Sequence, residues 1–453
     1  MRVATGVFAE QPEQVAAPFV TPRGLAERLS RLLGNQDARR GFLAILDQGI
    51  ISGLSFATCS LIALATGSYG LGVAHLALIL MVFMMNVQGE LVTAPFTMYR
   101  NRRGGDQLAI YSGSVFLHHA LLTLLGGMAL WAFLILLEMG IGPAHLAGPL
   151  WVLLFAAPFC LLHSFLRHFS FACLRFQTAL AMDIVAAVVQ LSLLMILLFS
   201  GRLTVAAVFT VMGAASAVAS LAWFAAPPVV FRFELGRLGE HWRENWGFGR
   251  WTLCSHVIGC AMTYVLPWLL RDVHGESATG QLAACGKFSA LAATFVLGLA
   301  HLLTPRAVAA YAQQGIAGLR RVLAVTGLVF SITVGSFCAV TWLTGAWLMV
   351  TLFGADFVNT GEIVLILSLS VLVNSLAVLA GNGLWAVDRP QANLIGDVTA
   401  MLSTLAVALY WVDSAGALGI AYAILVGGAT GAVVRGITFW IIARGLDAEV
   451  AER

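Results

Sequence analysis

Apolar runs of about twenty residues recur along nearly the whole chain, and ionisable side chains are almost confined to the short segments between them. That pattern leaves few folds. A run of this length matches the roughly 30 Å hydrocarbon core of a bilayer at about 1.5 Å per helical residue. In lipid, every backbone N–H and C=O must find its partner within the protein, which only helices and closed barrels achieve. The runs are continuous rather than alternating, which selects helices. Composition agrees: 60% of residues are hydrophobic, 10% are charged and the mean hydropathy is +0.89, whereas a soluble domain carries about 25% charged residues.

Twelve spans are predicted: 41–66, 71–98, 107–137, 146–166, 176–199, 203–231, 247–270, 280–304, 320–344, 361–385, 393–412 and 416–443. With a cytoplasmic N-terminus, twenty-one arginines fall in cytoplasmic segments and only Arg202 and Arg271 fall outside. The excess of positive charge on one side orients the chain with both termini in the cytoplasm, in a cytoplasmic (inner) membrane. Residues 1–40 are polar with no cleavage pattern, so no secretory signal is expected there. Within them, 23–34 place Leu25, Leu29, Leu32 and Leu33 on one helical face and Arg23, Arg28 and Arg31 elsewhere. This is an amphipathic helix for the lipid surface or for the protein's own loops.

The halves resemble each other. Pro95 and Pro305 end spans two and eight 210 residues apart, and at the same offset Leu174–Asp183 faces Leu384–Asn393. Six spans per half gives parallel repeats related by an axis along the membrane normal. The expected fold is an all-α polytopic membrane protein: a six-helix bundle over 41–231, a linker at 232–246, a second bundle over 247–443 and a tail at 444–453.

Ionisable groups inside spans are costly and draw attention first. Asp47, beside Gln48, reads as a proton or cation site, as the partner of an arginine on another span, or as an interfacial carboxylate. Glu90 is either functional or paired. Lys287, the chain's one lysine, either holds an anion or snorkels to the interface. Arg435 lies deep enough in span twelve for either role. Asp183 and Asp397 begin equivalent helices beside Arg175 and Arg389, which suits capping and local charge balance. His118, His119, His163 and His301 read as polar packing residues. Arg100, Arg102, Arg103, Arg167, Arg175 and Arg306 could ring the inner mouth and capture phosphate, although orientation alone also puts arginines there. Seven scattered cysteines form neither a disulfide framework nor a metal cluster. With no Walker loop, nucleophile elbow or HExxH, and no long connecting segment, the chain is not read as an enzyme or a nucleic-acid binder.

Several motifs in order carry a family likeness. Leu46-Asp47-Gln48 leading to Ser52, Gly53, Ser55 and Phe56, then Ala63 and Gly67-Ser68-Tyr69-Gly70, resembles the opening of polysaccharide-export flippases of the multidrug/oligosaccharidyl-lipid/polysaccharide exporter superfamily. Gln88–Pro95, Phe165-Leu166-Arg167 with Arg175 and Asp183, and Gly416–Ala421 resemble later parts of that family. The resemblance spans about 41–443. It implies alternating access by two bundles that carry a lipid-linked (polyprenyl-pyrophosphate) saccharide between leaflets for polysaccharide biosynthesis. It also implies membrane-lipid contacts, polysaccharide-assembly proteins as partners and no cofactor beyond a coupling proton or Na+. The chain departs from this pattern in having few deep cations. Two other readings stay open: a cation-coupled multidrug exporter of the same superfamily using Asp47 and Glu90, and a major-facilitator transporter.

Overall fold

The computed structural model describes residues 36–225, 230–389 and 391–452; the expected amphipathic helix at 23–34 lies outside them. Every regular element among the described residues is helical. Three helices are far too long for one membrane crossing: Gln36–Gln88, Leu238–Phe353 and Gln391–Glu452. Each is broken at glycine, at Gly67, Gly275, Gly315 and Gly416, with φ between 54° and 80°. This backbone region is open to glycine and strained for other L-residues.

The chain reverses at these glycines. Across Gly275, the Thr279 hydroxyl donates to the Pro267 carbonyl at 3.3 Å, where a straight helix would separate the two by about 18 Å. Across Gly416, the rings of Trp411 and Tyr422 lie 5.7 Å apart. A Cβ on Gly318 would sit 2.9 Å from the Ala310 carbonyl, across Gly315. Asp47 and Arg100, on either side of Gly67, both reach the last two turns of one helix, at Arg167 and Ala172.

Twelve helical segments result: α1 (36–66), α2 (68–99), α3 (Gly105–Glu138), α4 (Ala147–Ala172), α5 (Phe176–Phe199), α6 (Val205–Phe224), α7 (238–274), α8 (276–314), α9 (316–353), α10 (Gly361–Ala386), α11 (391–415) and α12 (417–452). They form the expected all-α polytopic pair of six-helix halves. Two boundaries differ from expectation. Span six was drawn to 231, but α6 ends at Phe224, ahead of Pro227 and Pro228, because a proline disfavours helix in the residue before it. The linker at 232–246 is shorter than drawn, because α7 already begins at Leu238.

The repeat is real, but its offset is not uniform. Turn residues Gly67 and Gly275 match at 208, whereas Leu174 and Asp388, both non-glycine residues with φ near 57°, match at 214. Asp183 and Asp397 also stand 214 apart, so the offset of 210 expected for that stretch is corrected. At the end away from the arginine-rich turns, α2 and α8 cross about this pseudo-twofold relation. A Cβ on Gly72 would strike the Glu276 carbonyl, and one on Gly280 would strike the Ser68 carbonyl. The Asp356 carboxylate accepts from the Ser68 N–H at 3.0 Å and from its hydroxyl at 3.3 Å, capping the start of α2. Glu276 meets His145 at 2.7 Å and Arg271 at 2.9 Å. All but the Glu276–Arg271 pair, which lies within the C-terminal half, join the two halves at that end.

At the arginine-rich end, the first turns of α7 are strapped to the N-terminal half. The Tyr111 hydroxyl donates to Asn245 at 2.7 Å, His241 Nδ1 meets the Ser114 hydroxyl at 2.8 Å, and Arg103 pairs with Glu244. Beneath this strap lies an aromatic core of Phe96, Tyr111, Phe165, Phe169 and Trp223. Such stacked and edge-on rings stabilise beyond the area they bury.

Candidate functional site

Pro95 shapes α2 where the chemistry begins. Lacking an N–H, it cannot donate within the helix, and the turn before it widens to a π-helix over Gly89–Thr93, with the Ala94 N–H bonding back to the Gly89 carbonyl. Wide turns of this kind recur at functional sites. On this helix Asn86, Glu90, Thr93, Thr97 and Arg100 follow at spacings of four, three, four and three, which places them on one face. They line a cavity of about 620 Å³ whose other wall comes from α4, with Ser164, His168 and Phe171. Glu90 lies 3.5 Å from His256 of α7, and the Asn86 amide donates to the Tyr264 hydroxyl at 2.6 Å. Arg100 bonds the Ala172 carbonyl, and its buried Nε has no partner.

On the other side of α4, four ionisable groups meet. Arg167 reaches Asp47 of α1 through Nη2 at 2.5 Å and Asp183 of α5 through Nε at 2.8 Å. His163, one turn earlier on α4, lies 3.2 Å from the second oxygen of Asp183. Both carboxylate side chains are 1% exposed, and Asp47 keeps one oxygen without a hydrogen-bond partner. Two carboxylates face one guanidinium, so a neutral cluster requires one further proton, on a carboxylate or on the imidazole.

The C-terminal half has its own cavity, about 500 Å³, lined by His75 of α2 together with Lys287, Asn374, Asp397, Thr404 and Arg435. Arg435 pairs with Asp397, while the Lys287 ammonium donates to the Ser55 hydroxyl at 2.8 Å. Among the described residues, no carboxylate lies within ion-pair distance of Lys287.

The predicted residues therefore separate. Asp47 and Arg167 join, together with Asp183. Lys287 and Arg435 share the second cavity, and Glu90 lines the first. Gln48 is exposed and turns toward Ser52 at 3.5 Å, away from the cluster. Arg175 is exposed at the start of α5 and joins no cluster. Asp183 and Asp397 are not caps: they lie two turns inside their helices, and their partners are Arg167 and Arg435 rather than Arg175 and Arg389. Of the six arginines expected around the inner mouth, Arg103 is held by Glu244, Arg167 by the aspartates and Arg100 faces a cavity, while Arg102, Arg175 and Arg306 are exposed. His118 meets the Leu238 carbonyl at 3.1 Å and His119 stacks on Phe165 at 4.4 Å; the side chain of His301 lies outside the description. His256 and the polar face of α2 were not singled out from sequence, although the four-three spacing of that face was there to be read.

No protein-family model matches the sequence, and no curated protein matches it. Solved structures do. The chain superposes on an inward-facing multidrug resistance MATE family transporter of the MOP superfamily with a TM-score of 0.73 and 16% identity, over 88% of this chain and 96% of that one. The fold is that of the MOP superfamily transporters. The lipid II flippase MurJ, in an inward closed conformation, gives 0.70 and 15% identity over 88% of this chain and 87% of that one. An outward-facing MATE structure gives 0.58 and 14% over 92% and 98%. The MOP fold sets aside the major-facilitator arrangement.

Proposed function

We propose that this protein moves a lipid-linked saccharide with an anionic phosphate linkage from the inner to the outer leaflet of the cytoplasmic membrane, by alternating access of its two halves. The observation that carries this reading is Lys287, an ammonium within the membrane whose partner is a neutral serine, in a cavity where the other cation is already paired. An uncompensated charge in low dielectric is costly, and an anionic group entering the cavity supplies the missing partner. Arg100 stands unpaired by carboxylate in the other cavity and adds to the same preference. An apolar groove of about 380 Å³ between α2 and α3, with Leu80, Phe83, Val87 and Leu125, lies on the neighbouring face of α2 and suits a prenyl chain.

The Asp47–Arg167–Asp183–His163 cluster serves as the coupling element, and its ion is a proton. The guanidinium already sits between the two carboxylates, where Na+ would have to sit, and the charge count leaves room for one exchangeable proton. The multidrug-exporter reading needs Asp47 and Glu90 free to face a cation; Asp47 is held by Arg167, and Glu90 lies 3.5 Å from His256.

The test is transbilayer movement of a fluorescent polyprenyl-pyrophosphate saccharide in vesicles holding the purified protein. The expected result is acceleration over empty vesicles, strongly reduced by Lys287→Met and absent for a cationic dye. Proton-driven dye uptake without lipid movement would instead assign drug export.

A further inference from the structure

The cavity between α2 and α4 takes most of its polar groups from a single helix face, whereas the one around Lys287 draws them from several helices. Its polar lining follows α2 from Asn86 to Arg100, fourteen residues or about 21 Å. It carries hydroxyl, amide and carboxylate groups for most of that length and a cation at one end only. That end is the arginine-rich one, where Asn101 stands beside Arg100. Phe171 adds an aromatic ring to the opposite wall, and the Arg167 guanidinium lies 4.9 Å from the centre of that ring.

A polar stripe running several turns along a membrane helix is expensive if it faces lipid. Its donors and acceptors are only partly used within the protein. The Thr93 hydroxyl donates to the Gly89 carbonyl and the Thr97 hydroxyl to the Thr93 carbonyl, which leaves the lone pairs of each free. The Glu90 side chain is 25% exposed. Asn86 uses one amide hydrogen on Tyr264 and keeps its carbonyl oxygen and second hydrogen. The buried Nε of Arg100 is unpartnered. Charged, amide and hydroxyl groups spaced five to six Å apart on a helix, facing an aromatic ring, match the hydroxyl groups and apolar ring face of a sugar. The single guanidinium at the mouth matches the phosphate to which the sugar is joined.

We infer that this cavity is the saccharide subsite: Glu90, Asn86 and Thr97 bind hydroxyls of the sugar next to the phosphate linkage, and Arg100 binds the phosphate at the arginine-rich mouth. The inference rests on the flippase reading and assigns it a part of the molecule distinct from Lys287. Glu90 here accepts hydrogen bonds from hydroxyls; it is not an ion-coupling group.

Two probes separate the parts: a fluorescent farnesyl pyrophosphate carrying one N-acetylglucosamine, and the same lipid without the sugar. Movement of both is followed in vesicles holding wild-type protein, Glu90→Gln, Thr97→Val or Arg100→Gln. Glu90→Gln and Thr97→Val are expected to slow the sugar-bearing probe by about tenfold, the loss that follows from one or two hydrogen bonds, while the bare lipid moves within about twofold of wild type. Arg100→Gln slows both. Retained movement of the bare lipid also shows that the Glu90 and Thr97 variants are folded. If the wild type moves both probes and the Glu90 and Thr97 variants slow both equally, or neither, the saccharide subsite is wrong and the flippase reading stands. If the wild type moves neither probe, both fall.

Discussion

Replacing Arg167 with leucine isolates the physics of the buried cluster. In the wild type, one guanidinium serves two carboxylates that are 1% exposed, and a neutral site requires one further proton. Without the arginine the site holds two negative groups and no cation apart from His163, and the least costly response is uptake of a second proton. Protonating a carboxyl group with an ordinary pKa of about 3.9 at pH 7 costs about 1.36 × 3.1, or roughly 4 kcal/mol, within the range of about 3–5 kcal/mol measured when one partner of a buried pair is removed. The sign of the pH dependence follows. The folded variant binds a proton that the unfolded chain does not, so its deficit is full near pH 7 and shrinks by about 1.4 kcal/mol per unit as the pH falls toward 4. Unfolding in mixed micelles at pH 7.5, 6 and 4.5 measures this, with Arg167→Leu/Asp47→Asn/Asp183→Asn as the companion that removes all the charges and recovers most of the loss. A deficit under about 1 kcal/mol for the single variant, or one that does not change with pH, would refute the argument that the cluster is held by charge balance.

Other consequences are as direct. Asp356→Asn removes the charge capping α2 across the interface between the halves; at about 0.5–2 kcal/mol for such a cap, it should shift the population toward separation of the Gly67 and Asp356 turns, read as a longer distance between spin labels on those turns. Gly280→Val forces a side chain against the Ser68 carbonyl, and the expected result is the same opening with about 1–3 kcal/mol lost, seen as a lower melting temperature. His241 is held below the usual imidazole range by burial and then by Arg103. Its contribution to the α7 strap is therefore full above about pH 6.5 and is lost as the pH falls through the folded-state value, so amides in 238–250 should exchange faster at pH 5 than at 7.5, and His241→Gln should flatten the difference. Arg175→Gln, exposed and outside every cluster, should change stability by less than about 0.5 kcal/mol.

How far the sequence reaches depends on what each feature encodes. Apolar runs report the membrane's thickness, so the spans and their pairing into two halves could be read directly. They do not report where a helix begins outside an apolar run, and Leu238–Trp246, polar in sequence and expected as linker, forms the first turns of α7. Asp47, Asp183 and Arg167 were each conspicuous as charges in apolar surroundings. Their union spans three helices and 136 residues, and nothing local to any of them encodes it; the neighbour in sequence, Arg175, was the wrong partner for Asp183. The stripe on α2 was legible and passed over for a different reason. Its members are mostly neutral, and a neutral residue in a span does not stand out singly as a charge does. Only the four-three repeat marks them.

The charges in this protein divide by what completes them. In the N-terminal half Arg167 is shared by two aspartates, a set that one proton would neutralise, and in the C-terminal half Arg435 pairs with Asp397 alone. Neither set needs a ligand, and either would resist one, because inserting a charge would break a pair already made. Arg100 and Lys287 differ: each faces a cavity, one against a backbone carbonyl and the other against a hydroxyl, neither of which cancels a unit charge. At an effective dielectric of about 20, a phosphate oxygen 4 Å from such a cation gains roughly 4 kcal/mol, a preference that a neutral solute cannot share and a cationic one reverses. On the proposed function, selectivity for an anionic head group would follow from which cations the protein leaves unpaired rather than from how many it contains. Two cations left without a carboxylate in these cavities can discriminate by charge as firmly as a lining of arginines, because Arg167 and Arg435 have been taken out of play by their own neighbours.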